Sequence, residues 1–339
     1  MACHSVDIYS QGVWAAVKEV EDPELRELAD KLPNTILHSR ANSTVKKYLA
    51  AYKRWKSWAK RYGMPAIPAK EHHVGLYLQH LADTVSSKLA VEEACNSLAW
   101  VHSTAGLVSP SASPFVKAIL EGLQRSLAKP VVKKAPMTVA MLQRMVEDAK
   151  MSGTLTDLRL TTACLLSFAG FLRFSELVNI QPCDISVYEE YIVLHIPHSK
   201  GDQLRKGEEV VIARCGSATC PVSKLEEYIR RTQISWRDQR FLFRPICKTK
   251  LGDRLRESGS ISYTCLHRLF KNKLRNLGYD PKDFGLHSMR VGGATKAANA
   301  GVPDRLFKRH GRWKSENAKD GYIEDSLEHR LSVTKQLGL

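Results

Sequence analysis

The chain has 339 residues, 43% of them apolar and 25% charged, a balance that excludes a disordered or collagen-like protein and makes two domains the default. No stretch approaches the roughly 18 apolar residues of a membrane span, and the first residues, MACHSVDIYSQG, lack the basic flank and apolar run of a secretory signal, so a soluble, intracellular protein is predicted. Lys and Arg number 51 against 35 acids, a formal charge of +16 that favours a polyanionic partner, nucleic acid first and an anionic membrane second.

Residues 1–36 hold an acidic patch (Glu19, Glu21, Asp22, Glu24, Glu27, Asp30) and read as an N-terminal arm, a short helix or a mobile segment with no assignable function. Next, Val45, Tyr48, Leu49, Tyr52, Trp55 and Trp58 or Ala59 recur at three- and four-residue steps, which predicts a helix with one apolar face. Ser43 or Thr44 is placed to cap its start and Gly63 to end it. From Arg40 to Tyr62 there are eight Lys or Arg and no acid, and phosphates would relieve the repulsion among them. Lys46, Lys47, Lys53, Arg54, Lys56 and Lys60 are therefore candidate DNA contacts. Further helices over 70–83, 88–105 and 113–127 would complete an all-helical bundle spanning 37–128. The stretch AKPVVKKAPMT has two prolines and three lysines, so 129–138 reads as an extended basic linker that adds Lys133 and Lys134 to the DNA candidates.

The second domain spans 139–339. TVAMLQRMVEDAK predicts a helix, and DLRLTTACLLSFAGFLR, apolar nearly all round, predicts a buried one. YIVLHI (191–196) and EEVVIA (208–213) have strand composition and are joined by the polar loop PHSKGDQLRKG. A helix over 221–232, a short strand at FLF (241–243), a helix with the stripe Leu266, Leu269/Phe270, Leu274 and Leu277, and a helical stretch over 286–339 follow. The predicted fold class is multidomain α and α+β: a helical bundle, then a mainly helical domain with a small antiparallel sheet. Eight cysteines in a chain this long make no disulfide scaffold. The close pair Cys215 and Cys220 is spaced loosely for a zinc half-site, and flanking a turn before Pro221 is the simpler reading.

P-loop, GxGxxG, HExxH and GxSxG elements are absent from the sequence. Four separated segments stand out instead. In GFLRFSEL, Arg173 ends the buried helix and needs a partner; Glu176 either pairs it structurally or orients it toward a phosphate. The loop HSKGDQLRKG carries Lys200 and Lys206, each of which alone reads as a surface lysine. LHSMRVGGA sets His287 and Arg290 on one helical face. RHGRWKSENAKDGYI holds His310, Trp313 and, nine residues after Trp313, Tyr322.

In this order, over about 160–325, the segments resemble the tyrosine recombinase (phage-integrase) family, which shows RxxEL, a hairpin Lys, HxxR, and a His or Trp nine residues before a nucleophilic Tyr. HSMRVGGA, and Trp in place of the commoner His, look most like the Cre-type branch. The wording is also similar to recombinases of eukaryotic DIRS, Ngaro and Crypton-type mobile elements. The N-terminal bundle matches the family's core-binding domain only in outline. The resemblance implies a site-specific DNA recombinase or integrase that cuts and rejoins DNA through a 3′-phosphotyrosyl intermediate. Tyr322 would be the nucleophile, His287 the general base, and Arg173 and Arg290 the donors to non-bridging oxygens. Trp313 would donate to the phosphate or pack beneath it, Lys200 would protonate the leaving oxygen, and Glu176 would orient Arg173. Lys206 rivals Lys200, which follows the first strand at the family's distance. His310 is a structural residue in this reading, because the nine-residue spacing favours Trp313. No cofactor, ATP or metal is implied. The implied partners are double-stranded DNA and three further copies in a synaptic tetramer, with no membrane, in the nucleus if the host is eukaryotic. Rival readings are a resolvase or a monomeric type IB topoisomerase, the latter disfavoured by the compact two-part layout, and a domesticated DNA-binding protein that no longer cuts, which the complete residue set disfavours.

Overall fold

The structure is a computed structural model, and it describes residues 8–130, 132–197, 207–250 and 252–337. The chain divides into two compact units, Met1–Val131 and Val132–Leu339.

The first unit is helical: a 3₁₀ turn at Ile8–Ser10, then α1 (Val13–Lys18), α2 (Pro23–Leu37), α3 (Asn42–Arg61), α4 (Glu71–Val85), α5 (Lys88–Thr104) and α6 (Pro114–Ser126). The apolar face of α3 is the expected one, with Val45, Tyr52, Trp55 and Ala59 buried. Its start differs: Ala41 is the N-cap residue, ahead of both Ser43 and Thr44, and no side chain caps it. Gly63 follows the helix at φ +66°, a left-handed conformation that a residue without Cβ adopts freely. Residues 8–36 do not behave as one arm. Ile8 and Trp14 are buried, and Trp14 Nε1 donates to Thr104 O at 2.8 Å, which ties the start of the chain to α5. By contrast α2, capped by the Asp22 carboxylate, buries none of its residues.

The second unit runs α7 (Val139–Ser152), α8 (Leu155–Ala169), α9 (Phe174–Leu177), β1 (Ile185–Val187), β2 (Tyr191–Ile196), β3 (Glu208–Ala213), α10 (Pro221–Thr232), β4 (Ile246–Thr249), β5 (Gly252–Leu255), α11 (Tyr263–Asn276), α12 (Ser288–Asn299), α13 (Asp304–Gly311), α14 (Glu316–Asp320) and α15 (Leu327–Lys335). Strands β1, β2 and β3 form an antiparallel sheet in which Leu194 faces Ile185 on one side and Val210 on the other. The inward residues Ile192, Leu194, Val210 and Ile212 join α8, buried along most of its length as predicted, in one core. The expected strand at FLF is not a strand. Leu242 and Phe243 are fully buried and bond singly to two different segments: Leu242 N donates to Ile180 O and Ile261 N to Phe243 O, each at 2.8 Å. The hairpin that does form there is β4–β5.

The C-terminal part of the expected linker is docked. Ala135 N donates to Asp283 O at 2.8 Å and Met137 N to Ser288 O at 3.0 Å, and Met137 is buried in the core of this unit. Gly292 on α12 makes room for it: a Cβ there would stand 2.1 Å from Met137 O. No described helix is long and apolar enough to cross a membrane.

Candidate active site

The site is built where α8 stops. After Ala169 the chain turns through Phe171, at φ +46°, and Arg173 becomes the N-cap residue of the single-turn α9. The RxxE spacing brings the Glu176 carboxylate back over Arg173 at the start of the helix. Glu176 accepts from the Arg173 backbone N–H at 2.9 Å and from Arg173 Nη1 at 2.5 Å. Its carboxylate also accepts from Arg312 Nη2 at 2.8 Å, and Arg290 Nη1 lies 4.0 Å away. One buried carboxylate is thus shared by three guanidiniums, which leaves the cluster with excess positive charge. Burial pushes the Glu176 carboxyl up, but Arg312 and then Arg173 outweigh it and hold the group below the usual carboxylate range.

Helix α12 supplies the next two groups. Its N-cap residue is His287, and Arg290, one turn on, is fully buried. Arg290 Nη1 donates to Phe171 O and Nη2 to Gly311 O at 2.6 Å, while Nε has no partner among the described residues. Its guanidinium lies 4.9 Å from the Trp313 ring centre and 4.8 Å from that of Tyr322, within cation–π range of both. Burial lowers the pKa of Arg290, and Arg173 and Arg312 lower it further. The His287 ring is 5.1 Å from Tyr322, centre to centre, and Trp313 is 5.4 Å from the same tyrosine. Burial lowers the His287 pKa, and Arg290 and Arg173 add to the shift, so the imidazole is neutral at neutral pH. Trp313 is buried against Phe171, Ala294 and Phe307, and its Nε1–H has no acceptor among the described residues.

Tyr322 is half-buried and held through its backbone: its N–H donates to Lys319 O at 2.9 Å, and its carbonyl accepts from Thr295 Oγ1 at 3.3 Å. Lys319 in turn ties α14 to α13 through Asp304 and also pairs with Glu316 at 2.6 Å. His310 faces the backbone, its Nε2 2.7 Å from Ala169 O and its ring 4.7 Å from Phe171. Arg173, Glu176, His287, Arg290, Trp313 and Tyr322 are therefore gathered into one cluster. Lys200 and Lys206 lie outside the described residues.

No family model matches the chain. It is 28% identical over 315 residues to an integrase/recombinase xerD homolog of Selenomonas ruminantium, covering 91% of this chain and 89% of that protein. It is 23% identical over 299 residues to the recombinase cre of Escherichia phage P1, covering 83% and 84%. Among solved structures, the XerH site-specific recombinase in a post-cleavage complex with a palindromic difH substrate matches at TM-score 0.62 and 14% identity, over 99% of this chain and 94% of that one. The Tn1549 transposon integrase in complex with circular intermediate DNA matches at 0.55 and 13%, over 98% and 99%. At such identities the structural likeness is one of fold. Together the relatives support the tyrosine recombinase family.

Arg312 was not singled out by the tyrosine recombinase pattern in the sequence. It is buried, sits at φ +56°, and besides Glu176 donates to the carbonyls of Gly170, Phe171 and His310 at 3.2, 3.0 and 2.9 Å. The faint signal for it was a charged residue between Gly311 and Trp313, where a helix ends. The DNA candidates on α3 differ in their surroundings. Lys46, Lys53 and Lys60 are exposed and Lys56 is half-buried, but Lys47 and Arg54 pair with Glu93 of α5 at 3.1 and 2.8 Å. An acid distant in sequence thus relieves part of the repulsion assigned to phosphates. Lys133 is exposed, and Lys134 Nζ donates to Lys282 O at 2.5 Å. The Cys215 backbone N–H donates to the Cys220 sulfur at 3.4 Å across the turn before α10. Among the described residues no group of three His, Cys, Asp or Glu is placed to hold a metal.

Proposed function

We propose that the protein is a site-specific DNA recombinase that breaks and rejoins strands through a 3′-phosphotyrosyl intermediate. The observation that carries this reading is the setting of Tyr322: its ring lies beside His287, Trp313 and the Arg290 guanidinium, next to a cluster of three arginines around one carboxylate. Tyr322 Oη attacks the scissile phosphorus, the bond to the 5′ oxygen breaks, and the 3′ phosphate remains on the tyrosine. A phenol of reference pKa about 10 needs a base at neutral pH, and the neutral His287 takes its proton. Arg173 and Arg290 meet the negative charge that grows on the non-bridging oxygens. The Trp313 Nε1–H, without an acceptor among the described residues, is a further donor to that phosphate. Lys200 protonates the departing 5′ oxygen, and rejoining runs the same steps backwards.

The partner is double-stranded DNA, bound with help from the exposed lysines of α3, and exchange takes place in a tetramer of this chain on DNA. A mobile-element setting is favoured by the transposon integrase among the structural neighbours and by the DIRS-, Ngaro- and Crypton-like wording of the motifs. In a eukaryotic host the protein would act in the nucleus. Tyr322→Phe tests the reading, since it removes one hydroxyl and leaves the ring packing in place. Duplexes selected from a random pool should still bind this variant, and its SDS-stable adduct with them should vanish; an adduct that persists would mean another nucleophile.

A further inference from the structure

We propose that Arg312 is a positioning residue: it is the standing counter-ion of Glu176, and it thereby frees Arg173 to leave that carboxylate for a DNA phosphate. The inference rests on the recombinase reading above and concerns a residue outside the family pattern.

The two arginines that grip Glu176 differ in what else holds them. The Arg173 side chain is 20% exposed, and among the described residues its guanidinium hydrogen-bonds only Glu176. The Arg312 side chain is 2% exposed, and its two Nη atoms are engaged by three carbonyls and Glu176. Arg312 therefore stays, and Arg173 is the one able to turn outward. Without Arg312, that turn would leave an ionised carboxylate with no exposed surface to one backbone N–H and to Arg290 at 4.0 Å, which is costly. Arg312 keeps Glu176 paired throughout. The αL backbone at Arg312 is uncommon for a residue with a Cβ, and the four hydrogen bonds over-determine it. Arg312 Nε also lies 3.8 Å from Glu208, at the start of β3, where the chain leaves the loop that carries Lys200. One guanidinium thus ties the turn after α8, the end of α13 and the base of the hairpin to the same carboxylate.

The test measures the rate of covalent adduct formation on a duplex selected by binding to the wild-type protein. Arg312→Gly tolerates the left-handed backbone and deletes the guanidinium, so Glu176 is left with Arg173 as its close partner and withholds it from the phosphate. The expected loss is about 10²-fold, the scale of one missing transition-state donor, with duplex affinity little changed. Adding Glu176→Gln to Arg312→Gly should then recover at least about tenfold, because a neutral amide releases Arg173. A role in packing alone predicts no recovery. If Arg312→Gly cleaves at the wild-type rate, or if the second substitution leaves the rate unchanged or lower, the proposal fails. Should Arg312→Gly not fold, Arg312→Lys decides. An ammonium opposite Glu176 should hold the rate within about tenfold of wild type, and a full 10²-fold loss would overturn the proposal. Wild type and Tyr322→Phe run alongside. An adduct formed by the first and not the second upholds the nucleophile whatever Arg312 does, whereas no adduct from the wild type would bring down the recombinase reading and this inference with it.

Discussion

Glu176 carries a negative charge into a space that three guanidiniums share, so its loss should be felt in folding as well as in cleavage. Removing one partner of a buried ion pair costs about 3–5 kcal/mol, and Glu176→Ala should lower unfolding stability in urea by that order. Its folded pKa lies below the ordinary 4.5, so its contribution is complete above that value and is lost as pH falls through the depressed one. The acid-induced loss of stability between those values should accordingly shrink in Glu176→Gln. His287 sets a different pH dependence. Its pKa in the DNA-free protein lies below 6.5, so the acid limb of the second-order adduct-formation rate, taken at sub-saturating duplex, should have its midpoint below 6.5. A midpoint at or above that value would contradict the assignment of His287 as the base. Lys200 can be separated from Lys206 by chemistry alone. A 5′ alkoxide, close in basicity to the roughly 15.7 of water, needs a proton on leaving, and a thiolate of conjugate-acid pKa near 8.5 does not. A bridging 5′ sulfur should therefore rescue Lys200→Ala and not Arg173→Ala; rescue of Lys206→Ala instead would transfer the role. Most of the site was legible at this scale because Arg173, Glu176, His287, Arg290, Trp313 and Tyr322 keep a fixed order and spacing along the chain. Arg312 was not, because its importance comes from burial and from carbonyls more than a hundred residues away.

Helix α3 shows how far an element can be read from its own residues. Its apolar stripe was plain, whereas the pairing of Lys47 and Arg54 with Glu93 needs a fold that brings α5 alongside. If its exposed face meets DNA, Lys46, Lys53 and Lys60 to Ala together should weaken binding to all duplexes. The logarithmic salt slope should also flatten by up to about 0.9 for each phosphate that is no longer neutralised, and an unchanged slope would place the DNA elsewhere. The β4–β5 hairpin escaped the sequence reading because its strands, ICKT and GDRL, are four residues each with no apolar alternation. FLF has strand composition, yet its apolar side chains serve burial and its backbone pairs piecemeal. Helix α12 was recognisable, but the reason for its paired glycines was not. A Cβ on Gly293 would stand 2.1 Å from Phe168 O, a backbone atom at the end of α8, so Gly293→Ala should cost about 1–3 kcal/mol or more in urea unfolding. Gly122 of α6, with nothing within 4 Å of such a Cβ, is the control: Gly122→Ala should gain about 0.5–1 kcal/mol from helix propensity.

At the scale of the whole chain, each of the two compact units has its own large apolar core among the described residues, and the second unit adds a smaller cluster of Phe171, Ala294, Phe307 and Trp313. The boundary was harder to read. Ala135 and Met137 sit in a proline- and lysine-rich stretch that resembles a linker, yet their backbone groups pair with residues near 283–288. Such partners lie too far along the chain for local pattern to reveal. A charge of +16 favours a polyanionic partner, and the proposed chemistry turns on the single hydroxyl of Tyr322. The decisive measurement is therefore the site and polarity of attachment. Wild-type protein trapped on a selected duplex, digested with nuclease and protease, should yield by mass spectrometry one modified peptide, with a 3′-linked nucleotide on Tyr322. A nucleotide on any other residue, or a 5′ linkage, would contradict the account.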